Sequence, residues 1–137
     1  MSEFHVVETE FKDEGCLVGA LEDVGYTPEV HEKEVKLNGY SGRGAQPKAH
    51  IVVRKGQFSG YGDAGFERVE GGNFKLHVDD YDCGRGKDKV KVKKVTQMYA
   101  ARVLEKEIKG KSNFSLLGRK TNKEGEIKIR ARVRVFR

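Results

Sequence analysis

The segment EIKIRARVRVF, residues 126 to 136, constrains the fold more than any other part of the chain. Ile127, Ile129, Ala131, Val133 and Val135 alternate with Lys128, Arg130, Arg132 and Arg134. A period of two sends the apolar residues to one face of a β-strand and the cations to the other. Such a strand belongs in a sheet that is packed on one side and wet on the other. Its apolar set is expected to face helices and its cations to face water.

The rest of the chain supplies those partners. Residues 3–11 read as a strand. Asp13 is placed to cap a helix whose Leu17, Ala20, Leu21 and Val24 recur at helical spacing, with Gly25 stopping it. Glu29 to Leu37 alternates as a strand, NGYSGRGAQP (38–47) reads as a loop, and His50 to Arg54 as a central strand. GQFSGYGDAGF (56–66), with four glycines and three aromatics, reads as a tight connection or a bulged strand. Asn73 to Val78 alternates again, and DDYDCGRGKDK follows as a polar loop. From Val90 to Lys109 the period turns helical, with Val92, Val95, Tyr99 and Val103 on one face and Gly110 as the C′ residue. Phe114 to Leu117 is a strand, and KTNKEGE turns it into the basic strand. Strands outnumber helices and run consecutively, which predicts an α+β fold: an antiparallel-rich sheet with two helices packed on one face.

At 137 residues the chain is the size of one domain, 1–137. No apolar run approaches the ~18 residues of a membrane span. The start, MSEFHVVETEF, has no cationic stretch followed by an apolar block, so no secretory signal is expected and the expected location is cytoplasmic. The net charge of +6 hides an asymmetry. Residues 1–34 hold ten Asp/Glu against two Lys/Arg; residues 85–137 hold eighteen Lys/Arg against five Asp/Glu. Segregated charge makes a field that attracts oppositely charged partners.

Catalytic and metal chemistry is unmarked. His5, His31, His50 and His77 are scattered, and no HExxH, CxxC or nucleophile elbow occurs. Cys16 falls in the apolar pattern of the first helix and Cys83 in a loop, too far apart in sequence for a disulfide framework. Asp79, Asp80 and Asp82 read as an acidic turn beside lysines rather than a calcium loop. No catalytic residue, metal site or cofactor is expected, and an enzyme is the minority reading.

Anion binding has the strongest case. Cations two residues apart on a strand stand about 6.6 Å apart, near the phosphate repeat of an extended single strand, so Lys128, Arg130, Arg132 and Arg134 can track a nucleic-acid backbone. GRGKDKVKVKK (84–94) adds Lys89, Lys91, Lys93 and Lys94 at a helix start, where cations oppose the helix dipole. Arg43, in the glycine-rich turn GYSGRG, suits a backbone anion nest. Stacking requires aromatics; Phe136 shares the cationic parity, and Tyr61, Phe66 and Tyr81 are the candidates from elsewhere. The competing explanation is internal: the cations protect a strand edge or pair across the sheet with acidic residues of 3–10 or 29–34.

Taken together, MSEFHVVETEFKDEGCLVGALEDVGY, VKLNGYSGRGAQPKAHIVVR, YGDAGFERVEGGNFKLHVDDYD and VTQMYAARVLEKEIKGKSNFSLL with the closing basic hairpin resemble the Ycf-thirty-five-like proteins of plastids, cyanobacteria, other bacteria and phages. The likeness rests on short motifs: a KDxxxLxxAL helix, a GYxG turn, a DxGF segment and a QxYA helix. CGRGKDKVKVKK at 83–94 departs from it by replacing a more apolar stretch. The resemblance implies no activity, cofactor or catalytic residue. It implies at most an accessory role beside an AAA+ ATPase.

The expectation is a non-enzymatic accessory domain that binds an acidic partner, single-stranded nucleic acid or an AAA+ ATPase subunit, through a basic sheet face. One alternative is a small-ligand binder or enzyme built on loops 39–44, 62–66 and 79–82; another is a self-associating structural domain.

Overall fold

In the computed structural model, residues 3–39, 46–111, 114–121 and 126–133 are described. Five antiparallel strands form the main sheet: β1 (Phe4–Glu8), β2 (Glu29–Lys36), β3 (Lys48–Val53), β4 (Ala64–Glu67) and β5 (Lys75–Asp79), in the order β1-β5-β4-β3-β2. Two helices, α1 (Glu14–Val24) and α2 (Val92–Lys109), pack against it and against each other. The fold is α+β, as the run of consecutive strands predicts. The central strand is β4; the apolar run at 50–54 lies in β3, one place from the edge.

Alternation in β3, β4 and β5 sends Ile51, Val53, Ala64, Phe66, Leu76 and Val78 to one face, where none is more than 1% exposed. They pack with Leu17, Ala20 and Leu21 of α1 and Val95 of α2. Each large apolar side chain buried this way contributes roughly 1.5–3 kcal/mol. Phe11 joins the layers, with its ring 5.9 Å from Phe66 and 4.8 Å from Tyr99. The Tyr99 hydroxyl accepts the backbone N–H groups of Lys12 and Asp13 at 2.9 and 3.0 Å, so α2 fixes the approach to α1. The opposite face of the sheet holds a smaller cluster of Leu37, Ala49 and Val52 with Phe4 and Val35.

Both helix starts depend on aspartate. Asp13 caps α1, its Oδ1 accepting the Cys16 N–H at 2.9 Å. The residue before α2, Lys91, is left-handed at φ 61° and gives no side-chain cap. Asp88 acts from further upstream, its two oxygens accepting the N–H groups of Val92 (2.7 Å) and Lys93 (3.2 Å). Its charge sits at the positive end of the helix dipole and offsets the lysines there. At the far end Gly110 keeps right-handed geometry (φ −75°), so α2 closes without the left-handed residue the sequence suggests.

The basic strand is placed differently from expectation. Among the described residues β9 (Ile127–Val133) pairs with β8 (Phe114–Thr121) alone, in a two-stranded sheet of its own. This hairpin packs on α2 and does not extend the main sheet. Alternation still sorts its faces: Ile127, Ile129 and Ala131 are half-buried, while Lys128 and Arg130 are exposed. A period of two specifies which face packs but not what it packs on.

Candidate functional site

The outer face of the hairpin is built by register. Lys120 stands directly opposite Lys128, Gly118 opposite Arg130, and Ser115 opposite Arg132. A bulge between Leu116 and Gly118 shifts the pairing by one residue. Like charges in direct cross-strand contact destabilise a hairpin by a few tenths of a kcal/mol or more. Lys120, Lys128 and Arg130 are exposed, and none has an ion pair or hydrogen bond from its side chain among the described residues. Arg134, Phe136 and Arg43 lie outside the described residues.

The acidic N-terminal third is used elsewhere. β1 pairs with β5 and β2 with β3, so neither acidic strand faces β9. Asp13, the cap of α1, and Asp23 within it pair instead with α2 and β8, while Glu14 pairs with Arg68. Asp23 receives both Nε (2.7 Å) and Nη2 (2.8 Å) of Arg102, and Arg119 approaches it to 3.6 Å. Lys106 bonds Asp13 at 2.5 Å. The Asp23 carboxyl is held below its usual range chiefly by the Arg102 hydrogen bond, and that of Asp13 chiefly by Lys106. Arg119 also bonds Glu105 at 2.6 Å, which anchors the hairpin to α2. Part of the charge asymmetry is therefore consumed in helix packing, while Lys128 and Arg130 of β9 have no acidic partner among the described residues.

A second cationic surface lies on the short hairpin of β6 (Cys83–Gly84) and β7 (Lys87–Asp88). Its two-residue turn has positive φ at both Arg85 (52°) and Gly86 (77°), the geometry that matches strand twist and favours glycine. The turn presents Arg85, Lys87 and Lys89 to the rings of Tyr81 and Tyr61. Arg85 Cζ is 4.9 Å and Lys87 Nζ 5.8 Å from the Tyr81 centroid, and Lys89 Nζ is 4.8 Å from that of Tyr61. The two rings are 5.3 Å apart and tilted by 36°. Phe66, the other aromatic candidate, is in the core. Lys93 and Lys94 are exposed in the first turn of α2.

Buried carboxylates hold this surface. Asp82, fully buried, accepts the Tyr61 N–H on both oxygens at 2.9 Å and the Gly62 N–H at 3.0 Å. Asp79 accepts the Tyr81 N–H at 2.9 Å. Asp63 accepts from the Asn38 and Lys55 N–H groups and from Arg54. Loops 62–66 and 79–82 thus meet, but their buried acids are taken up by backbone N–H groups and, at Asp63, by Arg54 as well. Among the described residues no group of three or more His, Cys, Asp or Glu could hold a metal ion. Burial is the main cause pushing both the Cys16 and Cys83 thiols up, which makes them poor nucleophiles at neutral pH. An open depression of about 560 Å³ lies beside His50 and Arg68, but Arg68 bonds Glu14 and the His31 carbonyl, and His50 accepts the Arg68 N–H. Among the described residues no helix is long and apolar enough to cross a membrane.

Residues 20–130 match the model of a family described as a protein of unknown function, DUF1257. The chain belongs to that family. The DUF1257 match starts within α1 and ends in β9, so it spans β2 to β7, α2 and the Lys120–Lys128 pair. No curated protein and no solved structure matches the chain.

Lys120, Arg85 and Lys87 were not singled out by the sequence patterns. Counting back from the KTNKEGE turn puts Lys120 opposite Lys128, a signal present in the sequence. The approach of Tyr61 to Tyr81 depends on Asp82 and has no local signal.

Proposed function

We propose that this DUF1257 protein is a cytoplasmic, non-enzymatic accessory domain that binds single-stranded nucleic acid along the outer face of the β8–β9 hairpin. The observation carrying this reading is the Lys120–Lys128 cross-strand pair, with Arg130 next on the same exposed face. Three cations gathered without acidic partners among the described residues raise the local potential, and a polyanion relieves their repulsion. In the sequence, Arg132 and Arg134 continue the same alternation. The finer likeness to Ycf-thirty-five-like proteins supports an accessory role and supplies the second reading, an AAA+ ATPase subunit as the acidic partner.

Salt-dependent binding of a labelled oligothymidylate separates the two. Each phosphate contact on a single strand contributes about 0.7 to the slope of log K against log salt. The variant Lys128→Gln/Arg130→Gln should reduce that slope by about 1.4. Its stability should stay level or rise, because neither side chain has a partner among the described residues. An unchanged slope, or a large loss of stability, would overturn the proposal.

A further inference from the structure

The tyrosine pair and its cations go beyond a charged row. We infer that Tyr61 and Tyr81, with Arg85, Lys87 and Lys89, form a second contact site that stacks an unpaired base of single-stranded nucleic acid and holds the flanking phosphates. The inference rests on the reading above only in taking the partner to be nucleic acid; its residues are separate.

Three observations carry it. The rings lie 5.3 Å apart at the surface, with Tyr61 36% exposed, so they form one aromatic platform rather than part of the core. The cations are directed at the rings from an exposed turn: the Arg85 side chain is 59% exposed, although its Nε bonds Asp80 at 2.9 Å. Lys87 and Lys89 are exposed too, and among the described residues their side-chain hydrogen bonding is limited to a long contact of 3.5 Å from Lys89 to the Ser59 carbonyl. The nearby acids are occupied: Asp82 by Tyr61 and Gly62, Asp88 by the start of α2, Asp80 by Arg85 and the Glu3 N–H. Arg85, Lys87 and Lys89 therefore stand around an aromatic centre, with the nearby carboxylates turned to other donors, and cations beside stacked rings are the combination that sequence-tolerant single-strand binders use. Base pairing hides the ring faces that such a platform needs, so the site selects single strands over duplex.

The platform is also rigid. Asp82 and Asp79 fix the backbone at Tyr61 and Tyr81, and the two-residue turn fixes the base of the Arg85 and Lys87 side chains. Less ordering is then required on binding than on a flexible loop.

The test compares Tyr61→Ala, Tyr81→Ala and Tyr81→Phe for affinity to an oligothymidylate and to an abasic strand of the same length. Losing a stacked base weakens single-strand binding roughly 5- to 150-fold. Each alanine variant should show this for the oligothymidylate and much less for the abasic strand. Tyr81→Phe, which keeps the ring, should bind like the wild type and controls for folding. Equal losses on both strands, or no loss, would overturn the stacking site. If the alanine variants weaken binding but Lys128→Gln/Arg130→Gln does not, the hairpin reading fails and this one stands; the reverse pattern leaves only the hairpin. No binding to either strand at low salt overturns both.

Discussion

Replacing Asp82 with alanine should destabilise the protein by about 3 kcal/mol and disorder the Tyr61 platform. Asp82 is fully buried, and its oxygens are the acceptors for two backbone donors, Tyr61 and Gly62. A buried donor left without its partner costs roughly 1–3 kcal/mol, toward the upper end when the acceptor was charged. Two donors give roughly 2–6 kcal/mol, and water entering the vacated space lowers that to about 3. For a chain of this length the loss corresponds to roughly 10–15 °C in Tm. It leaves most of a typical total of about 5–15 kcal/mol, so the variant should fold at room temperature. Asp82→Asn keeps one acceptor oxygen and should lose about half as much. Urea unfolding followed by circular dichroism measures both variants. A loss under about 1 kcal/mol for Asp82→Ala would refute the view that this carboxylate organises the loops.

Two further substitutions probe the scaffold. The hydrogen bond from Arg54 is the main cause holding Glu29 down at about 2, below its ordinary 4.5. That contribution is complete above pH 4.5 and is lost as pH falls toward 2, because protonation of the folded state removes it. The full linkage is about 3 kcal/mol. Glu29 is 38% exposed, so screening reduces this to about 1 kcal/mol. Glu29→Gln should be less stable than wild type by that amount at pH 7 and equal to it near pH 2; a constant gap across the range would contradict the assignment. Gly65→Ala would place its new carbon 2.6 Å from the Ala49 Cβ and 2.7 Å from Leu37, and should cost roughly 1–3 kcal/mol in urea unfolding; a neutral result would show that the 37–39 segment shifts freely.

Much of the scaffold was legible because it obeys local rules. Asp13 and Gly25 bracket α1 as their side chain and backbone freedom dictate, and alternation sorted the strands into faces. Alternation in β9 read correctly as a strand with wet cations, but the hairpin could not be assigned to α2, since its anchor is Arg119 reaching Glu105 and Asp23. The acidic third was legible as charge but not as partners, because Asp23 meets Arg102 only once two helices pack. The aspartates at 79, 80 and 82 looked like an acidic turn. The role of Asp82 as a buried acceptor depends on Tyr61 and Gly62, distant in sequence, a tertiary fact with no periodic trace. The lysines before α2 looked unfavourable until Asp88 was seen to reach the helix start.

The central claim is that exposed cations and a tyrosine platform serve an unpaired nucleic-acid strand. Its most direct test is the affinity of the wild-type protein, freed of bound nucleic acid, for an oligothymidylate and for a duplex of matched length at low salt. The account predicts tighter binding to the single strand, weakening linearly with log salt. Absence of binding, or a preference for duplex that survives Tyr61→Ala, would contradict it.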